Sequence, residues 1–133
     1  MGLNEGDRKE LVKFRLEQAK ETLAEIHVQM ENKFYRTAAN RLYYACFYAA
    51  TALLVKNEYE AHTHNGVKKL LNLHFIKENK IDKSFSEMYG QLFNLRHTGD
   101  YGERFDVKET DVLPLVEPAK NFIATIEKLL TEN

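Results

Sequence analysis

One cysteine, two prolines and six glycines in 133 residues exclude several architectures at once. Cys46 has no partner for an internal disulfide, and its place in an apolar run marks it as a small core residue in a reducing compartment. So little proline and glycine leaves no linker, low-complexity tract or internal repeat, and a single domain over residues 1–133 is expected. Neither sign of charge dominates: 19 Lys and Arg stand against 20 Asp and Glu, which argues against a basic nucleic-acid footprint over the whole surface. Long hydrophobic runs are missing too. The longest, Leu42 to Val55, is broken only by Thr51 and falls short of the roughly 20 residues that cross a bilayer. The first ten residues contain no apolar stretch of signal-peptide type. These absences predict a cytoplasmic protein with no membrane contact.

The patterns that usually announce chemistry are also scarce. His62 and His64 are close, but no cysteine or further histidine completes a tetrahedral metal site. There is no glycine-rich phosphate loop and no sequence pairing of a nucleophile with a base, so neither cofactor nor metal is expected. His74 follows the apolar face of its helix and reads as a hydrogen-bonded residue at the core edge. One local charge excess stands out between Lys68 and Lys83, where five lysines face only Glu78 and Asp82. A solvated helix face explains it, and phosphate is the alternative partner.

What the chain does have is helical periodicity. Five segments carry it, at about residues 7–31, 35–57, 63–78, 84–100 and from Val112 to Leu130, and none alternates with period two. The second is apolar nearly all round in its later half and should be the central helix, with Ala38, Ala39, Ala45, Ala49, Ala50 and Ala52 permitting close backbone approach. Thr63 to Gly66 offers capping groups for the third. Gly99 and Gly102 are expected to bracket the end of the fourth, and Pro118 to kink or delay the last. Short connections then give an all-α fold, an antiparallel up-and-down bundle of about four to five helices.

Within the fourth segment the apolar stripe Phe85, Met88, Tyr89, Leu92 continues onto Arg96, so a guanidinium points inward and needs a partner. Asp100, one turn on, can supply it. His97 diverges from Arg96 by about 100° on a helix and does not serve the same centre unless the helix breaks there. On the central helix Arg36, Asn40 and Tyr43 share one line, with Arg41 beside them. Two readings are open: core aromatics with polar residues at a solvated helix end, or a polar pocket in which these groups meet Arg96 and Asp100. His64 either caps its helix or points into that pocket. Converging cations would suit a phosphate or an acidic partner.

Asn40-Arg41-Leu42-Tyr43-Tyr44-Ala45-Cys46-Phe47, followed by Thr63-His64-Asn65-Gly66-Val67 and by Arg96 with Asp100-Tyr101, resembles the HEPN domain family. More narrowly it is similar to the small stand-alone prokaryotic HEPN proteins with Arg, three residues, then Asp-Tyr, over about Arg15 to Leu130. The resemblance implies a helical bundle, a homodimer, and a neighbouring small nucleotidyltransferase in a toxin-antitoxin or defence pair. Many family members are metal-independent ribonucleases that use an arginine and a histidine a few residues later. Here Arg96 matches the arginine, while the histidine position with four residues between is Tyr101. Tyrosine, with a reference pKa near 10 against about 6.5 for histidine, is a poor acid or base at neutral pH. The expectation is a binding module for nucleotide, RNA or a nucleotidyltransferase, with Arg96, Asp100, Tyr101, Asn40, Arg41 and His64 lining its groove. The alternatives are a ribonuclease acting at a dimer interface and a purely structural Arg96–Asp100 pair.

Overall fold

The computed structural model describes residues 2–101 and 106–132, without the side chains of 97–101. They form six α-helices: α1 (Glu5–Ala24), α2 (Ile26–Glu31), α3 (Tyr35–Lys56), α4 (His64–Leu71), α5 (Ser84–Tyr101) and α6 (Glu109–Thr131). A π-helical turn, Asn72–Ile76, continues α4. Since α1 and α2 are one interrupted rod, the fold is an all-α bundle of five rods, with no strand among the described residues. Among those residues no helix is long and apolar enough to cross a membrane.

Local chemistry sets the helix ends. Asn4 caps α1, its side-chain oxygen accepting from the Asp7 N–H at 2.7 Å, and Glu5 and Asp7 place negative charge in the first turn. The single first helix expected over residues 7–31 is broken at Glu25, whose N–H turns back to the Thr22 carbonyl at 3.2 Å. No glycine or proline marks that break. Three helix ends close by the Schellman pattern with a residue other than glycine in the left-handed region: Lys33 (φ 61°), Glu58 (φ 61°) and Asn79 (φ 59°). At each, the next residue's N–H reaches back five positions, Phe34 to Gln29, Tyr59 to Leu54 and Lys80 to Phe75, at 2.8–2.9 Å.

The last described residue of α5, Tyr101, falls between Gly99 and Gly102, and Gly102 itself lies outside the described residues. One other expected boundary is corrected. Neither Pro114 nor Pro118 delays α6, which starts at Glu109 and carries both inside it. Each proline forfeits one backbone bond, and burial of Val112, Leu115, Ala119, Phe122, Ile123 and Ile126 outweighs that loss.

α3 is the central helix and packs against every other rod. Its six seam alanines are all buried. α3 and α6 run in the same direction: Tyr35 at the start of one donates to Glu109 at the start of the other, at 3.3 Å. At the far end Lys56 Nζ donates to the carbonyls of Leu129, Leu130 and Glu132 at 3.2, 2.8 and 3.1 Å, satisfying acceptors that α6 leaves open. This frame presents one face of α3 to the start of α4 and the later turns of α5.

Candidate functional site

Consecutive turns of α3 carry Tyr43, Tyr44 and Phe47 toward α4 and α5. His64 is the first residue of α4, and Thr63 seats it: the Thr63 hydroxyl accepts the Gly66 N–H at 2.9 Å. A Cβ at Gly66 would stand 2.9 Å from that oxygen, so glycine lets the cap close. Thr63 is therefore the cap, and His64 is the residue that faces the site.

The His64 ring packs on three aromatic rings, with centroids 4.5 Å from Phe47, 5.6 Å from Tyr44 and 5.7 Å from Tyr43. Its Nδ1 is 2.8 Å from the Tyr43 hydroxyl, a bond that holds the ring in one orientation. From α5 the Arg96 guanidinium lies over the same pair of tyrosines, 5.5 Å from the Tyr43 centroid and 5.7 Å from that of Tyr44. Arg41 covers Tyr44 at 5.8 Å and makes a long 3.5 Å contact to the Thr22 hydroxyl. Two guanidiniums thus share one half-buried ring. Each such contact contributes on the order of 0.5–2 kcal/mol, more as water is excluded.

Behind these rings Tyr43 and Tyr89 are fully enclosed and packed together, centroids 5.8 Å apart. Burial pushes the Tyr43 phenol up to about 12, against the smaller opposing pulls of the Tyr89 hydroxyl and the Arg96 charge. Burial also raises Tyr89. Both stay neutral at physiological pH, and of the two Tyr43 carries the hydrogen bond to His64. Lys68 of α4 extends over Phe93 at 4.7 Å and adds a third cation at the α4–α5 side.

The inward arginine read from the sequence is therefore half-buried against tyrosine rings. Arg41 and His64 join it. Asn40 is half-buried on α3 one turn before Tyr43 and Tyr44. The side chains of Asp100 and Tyr101 lie outside the described residues. Arg36 is exposed in the first turn of α3 and lines a different cavity, of about 550 Å³, with Lys33, Lys108 and Glu109. His74 makes a ring stack on Tyr59, 4.0 Å apart and 8° from parallel. Cys46 is fully buried, and burial pushes its thiol far up. Among the described residues no three His, Cys, Asp or Glu side chains gather in a way that could hold a metal.

The Tyr43–His64 bond was not legible in the sequence, where Tyr43 read only as a core aromatic on the Asn40 line. The signal available was the aromatic triplet Tyr43, Tyr44, Phe47 on one helix with a histidine opening the next.

The profile of the HEPN domain family matches residues 12–129. A UPF0332 protein of Thermotoga maritima is 32% identical over 126 residues, covering 95% of this chain and 96% of that protein. A Methanocaldococcus jannaschii protein named "Putative toxin MJ0605" is also 32% identical over 126 residues, covering 95% of this chain and 93% of its own length. The crystal structure of TT1696 from Thermus thermophilus superposes with a TM-score of 0.74 at 16% identity, over 88% of this chain and 96% of that one, which is a likeness of fold. The profile match takes in α3, α4 and α5, the helices that bring His64 and Arg96 onto the same tyrosines, and on that match this chain belongs to the HEPN domain family.

Proposed function

We propose that the chain is a binding module for a nucleotide or RNA, working without catalysis of its own as one half of a toxin-antitoxin or defence-type pair. Its partner in that reading is a small nucleotidyltransferase, and its working form a homodimer. The observation that carries it is the convergence of Arg41, Arg96 and His64 on Tyr43 and Tyr44. Guanidiniums gathered over tyrosine rings suit a phosphate, and partly exposed aromatics offer a stacking face for a base. The toxin name borne by a relative with 32% identity supports the pairing. In calorimetry with AMP and a short oligoribonucleotide, Arg96→Ala is expected to abolish binding while the circular dichroism spectrum stays helical. Unchanged binding by the folded variant rejects the proposal.

One observation favours a second reading, cleavage of RNA. The histidine missing at position 101 has a counterpart in His64, which meets the same two tyrosines as Arg96 from another helix. Histidine is the side chain most often used to donate and accept protons in catalysis. Incubating the purified protein with RNA, with and without chelator, separates the readings. Cleavage lost in both His64→Gln and Arg96→Ala supports the ribonuclease, and cleavage no greater than that of Arg96→Ala rejects it.

A further inference from the structure

A second cationic surface lies beside the site, where α4, its π turn and the start of α5 enclose an open cavity of about 610 Å³. Lys69, Lys77 and Lys83 line it together with Asn72, Asn79 and Ser86 and the aliphatic side chains of Leu73 and Ile76, and no carboxylate does. All three lysines are exposed, and none of their ammonium groups makes a hydrogen bond or ion pair among the described residues. Some other lysines are engaged: Lys20 pairs with Glu127 at 2.9 Å, Lys56 holds the end of α6, and Lys80 lies over Phe75 at 5.6 Å. The nearby acids do not neutralise the groove. Glu78 is outside its lining, and Asp82 accepts the Ser84 N–H at 2.8 Å to start α5. From Lys68 to Lys83 the chain has five lysines and two carboxylates within a protein of net charge -1, so the positive charge is local.

We infer that this groove holds the sugar-phosphate backbone of an RNA strand. The inference rests on the reading that the neighbouring site takes nucleotide or RNA. Three ammonium groups on flexible stems around a shallow cavity, with hydroxyl and amide groups between them, match a row of phosphates that presents charge without fixed geometry. A protein partner would call for a buried aromatic or arginine anchor, and the groove lining has neither. The π turn helps to shape the groove, for Asn72 opens it and receives the Ser86 hydroxyl at 2.9 Å, tying α5 to the turn. Continuity with the site runs through α4: Lys68 reaches Phe93, one turn before Arg96, while the adjacent Lys69 lines the groove. A strand with a nucleotide at Arg96 can therefore continue along the α4–α5 edge.

The test is fluorescence anisotropy with a labelled single-stranded oligoribonucleotide across a salt series. It compares wild type, Lys69→Gln/Lys77→Gln/Lys83→Gln and the control Lys9→Gln/Lys13→Gln on exposed positions of α1. At about 0.7 per neutralised phosphate, losing three contacts lowers the slope of log affinity against log salt by about 2. The expected result is that loss with a roughly tenfold weaker affinity at low salt, an unchanged control, and AMP binding as in wild type. A triple variant that keeps slope and affinity, or loses no more than the control, overturns the inference, as does a wild-type protein that binds no oligoribonucleotide; the groove is then a solvated face or a dock for an acidic protein. Arg96→Ala that leaves AMP and RNA binding intact removes the site reading alone, and the triple variant still decides the groove.

Discussion

Tyr43 joins structure to site more directly than any other described residue. Its ring is enclosed by Tyr89, Phe93 and Phe47, and its hydroxyl meets His64 at 2.8 Å. Replacing it by phenylalanine keeps the packing and removes the bond, so Tyr43→Phe should cost about 1 kcal/mol at neutral pH and loosen His64. The alkaline side gives a sharper signature. Burial raises the folded phenol to about 12, while the unfolded phenol titrates near 10. The folded state therefore holds its proton where the unfolded state has lost it, and stability present below about pH 10 falls as pH rises toward 12. Urea melts across that range should fall less steeply for Tyr43→Phe than for the wild type; equal slopes would show that Tyr43 does not drive the decline. Of the candidate site, Arg96 was legible as a cation on an apolar helix line, Arg41 as a neighbour of the Asn40 line, and His64 as either a cap or a pocket residue. Their meeting point was not, since His64 and Tyr43 lie 21 positions apart and on separate helices.

At the scale of elements, side-chain periodicity located the rods, because burying one face is a property of residue spacing. It could not locate the break at Glu25 or the π turn. Both are departures of the backbone that no residue type at those positions advertises. The helix ends at Lys33, Glu58 and Asn79 were hidden for a related reason: none has the glycine that signals a left-handed cap. Those ends carry strain that packing elsewhere sustains. A left-handed residue with a Cβ costs about 1 kcal/mol, and less for asparagine, whose side chain tolerates the region. Lys33→Gly should accordingly raise the denaturation midpoint, with a gain of up to about 1 kcal/mol, and Asn79→Gly should gain less. A Lys33→Gly protein no more stable than wild type would mean that the Lys33 side chain supports the turn in ways the backbone geometry does not reveal.

Across the whole molecule, charge is balanced in total and divided in space. Lys20 on α1 and Lys120 on α6 pair with glutamates, whereas Lys69, Lys77 and Lys83 at the α4–α5 edge do not. Composition alone could not separate a neutral surface from a divided one. The alanine seam of α3 has a consequence of a different kind. Most protein centres fail by truncation, when a large side chain is cut back and a void opens. Here Ala38, Ala39, Ala45, Ala49, Ala50 and Ala52 leave almost nothing to cut. Apart from glycine, every replacement enlarges the residue, forcing neighbouring rods apart at about 1–3 kcal/mol each. Mutational drift at the centre of this protein is therefore constrained by crowding rather than by loss, and its narrowest tolerance falls where the side chains are smallest.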